Sequence, residues 1–355
     1  MKHLFPIQES GSTFTREVLA GITTFVTMSY ILVVQPAVLS VDFAGSPTGL
    51  DAGAVLLATC VASALATALM GVYGRLPIAL APGMGQNYFF VSVIMALSAQ
   101  SGSSPPWQTA LAIVFIAGVL FLLLTLVGLR DLVLDVMSPS MRSAMAVGIG
   151  LFIAFIGLTN AGVVADAPSL VSLNAATLTS PDAIVFWAGL LATMILMCLR
   201  VQGGILLGIF VSSALAWQFG KVSFNQVVGW PEFQSSPVFQ FDFGGALTAM
   251  GLTYIAIFLF MDVFDTTGTL VAVSEQAGLV QNGKLPRLRQ AMVADAAGTI
   301  VGACMGTSTV TSYIESATGV QQGGRTGLTA IVVAILFLLA IPFSRRHPFP
   351  TALAD

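Results

Sequence analysis

Phe258–Thr269, FLFMDVFDTTGT, places two carboxylates, Asp262 and Asp265, three residues apart inside an otherwise apolar run. At that spacing two side chains are neighbours on one helical face. A charge at bilayer depth costs about 2.5–3.5 kcal/mol on insertion scales, so such residues line a protein interior or a water-filled cavity. Both acids are therefore candidates for function, against the plainer role of a carboxyl that only bonds neighbouring backbone.

The rest of the chain supplies the bilayer. Hydrophobic residues make up 56% and charged residues 8%, with a mean hydropathy of +0.92, whereas soluble domains carry about 25% charge. The composition is that of an all-α polytopic membrane protein. A net charge of -3 without Lys/Arg clusters argues against a nucleic-acid partner. His3 and His347 lie near the termini and Cys60, Cys198 and Cys304 stand apart, so neither His catalysis nor a metal is expected. No cofactor is implied either.

At roughly 20 apolar residues per span, eleven segments are expected near 20–40, 53–72, 77–97, 108–128, 140–159, 182–200, 203–219, 246–274, 290–304, 306–322 and 326–343. The first follows a polar N-terminus without a cleavage site and reads as an uncleaved span. With that terminus cytoplasmic, Lys2, Arg16, Arg75, Arg130, Arg142, Arg200, Lys284, Arg287, Arg289 and Arg325 fall inside, and Lys221, Arg345 and Arg346 outside. Ten of the 13 basic residues then obey the positive-inside rule.

The third segment, RLPIALAPGMGQNYFF, cannot be a plain helix. Pro77 and Pro82 remove backbone donors and push their predecessors toward extended conformation, and Gly83 and Gly85 permit close backbone approach. An extended piece over Ile78–Ala81 and a half-helix from near Gly83 are expected, with the first amides turned inward toward a ligand's acceptor. Asn87 adds two donors and an acceptor at that half-helix start, where capping is the competing role. Phe89 and Phe90 read mainly as packing rather than as a stacking platform. The tenth segment has the same outline, with ACMGTSTV leading into TSYIESATGV and Glu315 about one turn into its second half-helix. Two discontinuous segments at corresponding places point to an inverted-repeat transporter with a midplane site.

The strings TREVLAGITTFVTMSYIL, ALAPGMGQNYFF, AVGIGLFIAFIGL, DVFDTTGTL and GTSTVTSYIESATGVQQGGRTGLTA resemble the AzgA-like purine permeases of the nucleobase/ascorbate transporter superfamily, over Thr15–Ala330. That resemblance implies fourteen spans in two inverted repeats of seven, with short β-strands in the two broken helices. It implies a core domain from 1–130 (spans one to four) and 244–343 (spans eight to eleven), and the first half of a gate domain in 131–220. Against that count spans twelve to fourteen are expected to be missing, with 344–355 read as an aberrant tail of a truncated frame. It implies a purine nucleobase (hypoxanthine, guanine or adenine) held by Asp262 and Glu315 with Gly85 and Asn87, with Asp265 in support. Gln86 departs from the family, which has an apolar residue there.

An ionised carboxylate accepts from a ring N–H and a protonated one donates to a ring nitrogen, so proton-coupled symport through Glu315 and Asp262 is expected. The family also implies a multi-pass protein of the cytoplasmic (inner) membrane, and homodimers are common in it. Alternatives are a uracil, xanthine or other small-solute transporter of the same fold, or a binding-only remnant. An inorganic anion would be repelled by three buried acids. An intramembrane aspartyl hydrolase is disfavoured because no GxGD string is present.

Overall fold

A computed structural model describes residues 5, 7, 10–43, 45–99, 105–128, 139–167, 170–174, 177, 180–199, 201, 204–220, 236–280 and 285–342. The expected tail at 344–355 and the basic residues Lys2, Arg130, Arg200, Lys221, Lys284, Arg345 and Arg346 lie outside the described residues. In chain order the helices and strands are α1 (Phe14–Met28), α2 (Ile31–Ser40), α3 (Ala52–Leu69), β1 (Leu80–Pro82), α4 (Met84–Ser98), α5 (Pro106–Val127), α6 (Pro139–Asn160), β2 (Val164–Ala167), β3 (Leu170–Leu173), α7 (Pro181–Cys198) and α8 (Gly204–Gln218). They continue with the short α9 (Phe243–Ala246), then α10 (Ala249–Gln276), α11 (Leu288–Met305), β4 (Val310–Ser312), α12 (Ser316–Gln321) and α13 (Gly327–Ala340). A π-turn, Met70–Gly74, prolongs α3. The described residues fall into two compact units, one within 1–138 and 228–345, the other within 139–227.

In the first unit, the expected breaks in the third and tenth segments are present. The extended pieces are β1 and β4, which pair antiparallel with Leu80 opposite Ser312, Ala81 opposite Thr311 and Pro82 opposite Val310. A two-stranded sheet inside a membrane protein leaves outer edges, and bilayer interiors offer no water to satisfy them. Threonines do so here. Thr67 of α3 donates its hydroxyl to Leu80 O at 2.9 Å and accepts from Leu80 N at 2.9 Å; Thr299 of α11 donates to Val310 O at 2.9 Å.

Close helix packing holds this arrangement. A Cβ on Gly302 would sit 2.6 Å from Ser308 O and 2.7 Å from Val310 Cγ2, so only glycine lets α11 lie so near the chain entering β4. Gly306 ends α11 in the left-handed conformation, φ +91°, a conformation glycine adopts without steric cost. Around the strands, Met70, Leu80, Phe121, Leu270 and Val310 form one buried apolar cluster. A second joins Phe90, Leu111, Ile113 and Phe258.

In the second unit, α7 packs on α8 through small residues: a Cβ on Gly208 would lie 3.0 Å from Thr193 Cβ, as membrane helix pairs favour. The 159–181 segment, between the fifth and sixth expected spans, contains the hairpin β2–β3, with Val164 opposite Leu173 and Ala167 opposite Leu170.

Five stretches among the described residues are long and apolar enough to cross a membrane: Phe14–Ser40, Ala52–Gly74, Pro106–Val127, Pro181–Cys198 and Ala249–Gln276. Leu207–Gln218 and Gly327–Ala340 are shorter apolar helices. Large apolar side chains such as Leu123, Val127, Leu191, Phe210 and Leu339 stand exposed, as lipid-facing residues do. The protein is a multi-pass membrane protein.

Candidate functional site

Both strands lead directly into half-helices. Gly83, with φ -71° and ψ 119°, is the N-cap of α4 and supplies no side-chain cap to the first turn. Glu315 is the N-cap of α12, so it precedes the half-helix instead of lying one turn inside it. The sequence made TSYI look helical, but Thr311 and Ser312 are claimed by the pairing with β1 and the helix starts only afterwards. Cross-bonds tie the two breaks together: Gly83 N to Thr309 O at 3.1 Å, Tyr313 N to Ala79 O at 2.9 Å, and the Tyr313 hydroxyl to Pro82 O at 2.5 Å.

Four carboxylates converge on this crossing. Asp262, only 1% exposed, accepts from Thr299 Oγ1 at 2.8 Å and from Gln86 Nε2 at 3.4 Å. Gln86 is itself fixed, since its Oε1 accepts from the Thr309 hydroxyl. Three residues along α10, Asp265 is exposed, with Thr311 and Glu315 among its electrostatic neighbours. A step of three residues turns a side chain by about 60° around the axis, which here separates a position covered by α11 from an open one. Glu315 is half-buried and accepts from the Tyr30 hydroxyl at 2.7 Å. Tyr30 sits in the two-residue turn between α1 and α2, where the backbone keeps right-handed helical angles.

The fourth acid, Asp295 on α11, was not singled out by the sequence reading. Fully buried, it accepts from Thr266 Oγ1 at 2.5 Å and Ser312 Oγ at 2.7 Å, and Asp262 feels its charge. The signal was available: an aspartate inside the ninth apolar segment meets the same depth criterion that picked out Asp262.

Asn87 lies on the other side of α4. Its Nδ2 donates to Gln35 Oε1, and its Oδ1 accepts from the Ser308 hydroxyl and from Gln35 Nε2 at 3.3 Å. Gln35 also donates to Thr307 Oγ1 at 2.9 Å. Gln35, Asn87, Thr307 and Ser308 are all wholly buried, so Asn87 spends its polar atoms tying α2, α4 and the entry to β4 together. Gly85 is in the first turn of α4 and half-buried. Phe90 is a core residue, and Phe89 packs on Phe258 and Tyr254 with ring centroids 5.0 and 6.0 Å away.

Residues 15–346 match the model of the permease family. The chain belongs to that family. It agrees with the resemblance carried by the sequence motifs, and the protein is a transporter rather than an enzyme. Similar proteins include a putative permease of Methanocaldococcus jannaschii, 45% identical over 357 residues, covering 99% of this chain and 79% of that one. The guanine/hypoxanthine permease PbuG of Bacillus subtilis is 41% identical over 97% of this chain and 78% of its own length. The adenine permease AdeP of Escherichia coli is 38% identical over 96% and 74%. Among solved structures, the transmembrane domain of a cyanobacterial bicarbonate transporter, BicA, superposes with a TM-score of 0.65 at 17% identity, over 93% of this chain and 85% of that one; this likeness concerns the fold alone.

Proposed function

We propose that this permease moves purine nucleobases across the cytoplasmic membrane together with protons, and that the base binds at the crossing of the two broken helices. The observation that carries the reading is the convergence there of Asp262, Asp265 and Glu315 with Tyr30 and Gln86. A purine presents N–H donors beside ring-nitrogen and carbonyl acceptors, and carboxyl groups with a phenol and an amide nearby answer both. The names of the relatives, which include guanine/hypoxanthine and adenine permeases, favour guanine, hypoxanthine and adenine over uracil or xanthine. A cluster of acids disfavours an inorganic anion.

Within this reading Glu315 and Asp265 face the base from the open side. Asp262 acts from behind them, Gly85 lets the base approach the backbone of α4, and Asn87 contributes by holding α4 in place. Hydrogen counting supports a proton on the inner acid. The one hydroxyl hydrogen of Thr299 faces two acceptors, Asp262 Oδ2 at 2.8 Å and Val310 O at 2.9 Å. Both contacts become full hydrogen bonds when Asp262 carries a proton and donates to Thr299, which then donates to Val310. Losing that proton leaves two acceptors sharing one hydrogen, which makes Asp262 a candidate, with Glu315, for the coupling group.

The matching edge contacts Thr67–Leu80 and Thr299–Val310 support two inverted repeats, with a core formed by 1–130 and 244–343 and a gate that includes 131–220. We place the N-terminus in the cytoplasm on the distribution of Lys and Arg, and take a homodimer as the assembly. The test is binding and uptake of labelled hypoxanthine, guanine and adenine, in competition with uracil and xanthine, at several pH values. Hypoxanthine, guanine and adenine should compete with one another, uracil and xanthine should not, and Glu315→Gln or Asp262→Asn should abolish the pH dependence. No binding of hypoxanthine, guanine or adenine defeats the base half of the proposal, and pH dependence unchanged in both Glu315→Gln and Asp262→Asn defeats the proton half.

A further inference from the structure

Away from the acidic crossing, the first unit contains a cavity of about 240 Å³ lined by three arginines, Arg75, Arg287 and Arg325. They come from three separate segments: the end of the π-turn after α3, the residue before α11, and the loop before α13. The positive-inside count put all three on one side of the membrane, and here they line one cavity.

Like charges gathered this way repel one another. Among the described residues none of the three forms an ion pair. The nearest acid in the hydrogen-bond network, buried Glu17, is spent on the backbone amides of Arg325 and Thr326, at 3.0 and 3.3 Å, and on the Thr329 hydroxyl at 2.6 Å. Arg325 uses Nη1 on the carbonyls of Val320 and Gly324, which fixes its guanidinium. Burial, with the Arg75 charge alongside, lowers the pKa of Arg287.

Arg75 provides a second, independent observation. It stands in the left-handed region, φ 54° and ψ 33°, at a helix C-terminus where glycine is the favoured residue. An arginine at a backbone position that favours glycine is a pointer to function.

We propose that this cavity binds a phosphate group. Guanidinium forks match phosphate oxygens in geometry and charge, and Leu279 and Leu285 give the cavity an apolar side. Two sources carry that chemistry: the headgroup of an anionic phospholipid, for which basic pockets between membrane helices are known receptors, and a soluble phosphate. The site is independent of the nucleobase reading.

The test uses the whole purified chain in detergent, with Arg75→Gly and Arg287→Gln as variants and Arg289→Gln as control. Glycine suits the backbone at position 75, so Arg75→Gly removes the cation without straining the fold. Arg289 is a cation on the same side that is not among the cavity-lining residues and donates to Leu126 O at 2.6 Å. Native mass spectrometry reads retention of phosphatidylglycerol against phosphatidylcholine, and calorimetry reads titration with inorganic phosphate. Each cavity variant should weaken binding by about tenfold or more, the scale of a lost charged hydrogen bond, while the control binds as the native chain does. Loss confined to phosphatidylglycerol assigns the headgroup, and loss of a saturable phosphate titration assigns the soluble source. Absence of both ligands from the native chain, or binding that survives in both cavity variants, overturns the proposal.

Discussion

Thr299→Val is the most informative single change at the acidic crossing. Valine keeps the shape and deletes one hydroxyl, which in the native chain lies 2.8 Å from Asp262 Oδ2 and 2.9 Å from Val310 O. Afterwards the buried Asp262 carboxyl keeps only Gln86 Nε2 at 3.4 Å, and the outer edge of β4 loses its partner at Val310. A buried acceptor left without a donor costs about 1–3 kcal/mol. If that cost falls on the bound state, it corresponds to about 5- to 150-fold in affinity. The assay is equilibrium competition binding with labelled hypoxanthine beside thermal unfolding of the same preparation. We expect both to fall in Thr299→Val and both to recover in Thr299→Ser, which restores the hydroxyl. Reduced stability with native affinity would confine Asp262 to the scaffold and refute its part in binding; native stability and affinity together would refute the geometry.

Asp295→Asn replaces an acceptor that two hydroxyls address, Thr266 at 2.5 Å and Ser312 at 2.7 Å, with a group that is half donor. One hydroxyl must turn away or go unpaired, and thermal unfolding should register a loss of about 1–3 kcal/mol. Gly302→Val drives a branched side chain into Ser308 O and Val310 Cγ2; overpacking of this kind costs about 1–3 kcal/mol, read as lower yield of folded protein and a lower Tm.

Much of the crossing was legible because proline and glycine act locally. Pro77, Pro82 and Gly83 forbid a continuous helix wherever the rest of the chain lies, and β1 followed by α4 is the outcome. Asp262 was legible because its cost in a bilayer is independent of its partners. Three things were not. The hairpin β2–β3 lies in a stretch without charge or periodicity strong enough to mark it. Glu315 was displaced to the start of α12 because strand pairing with a segment some 230 residues away, across β1–β4, decides where helix can begin. The roles of Asn87 and Gln86 depend on which side of α4 meets α2 and which meets α10, and one helical turn of sequence does not contain that information. Asp295 was passed over although the rule that found Asp262 applied to it equally.

The threonines at the strand edges tie these elements to a mechanism. In α3, Thr67 serves Leu80 alone, through both its hydrogen and its oxygen, so that edge has a fixed and complete set of bonds. In α11, Thr299 serves Val310 and an acid, so the bonding of that edge depends on whether Asp262 holds a proton. The same structural task, closing a strand edge where water is absent, is thus performed by a static device on one side and by a titratable one on the other. If Asp262 exchanges a proton as proposed, its loss would draw the Thr299 hydrogen toward the carboxylate, because bonds to ionised groups are the stronger, and would loosen the edge beside Thr311, which neighbours Asp265. On the proposed reading, protonation at the buried acid and geometry at the open acid would be coupled through one hydroxyl, without any change of secondary structure.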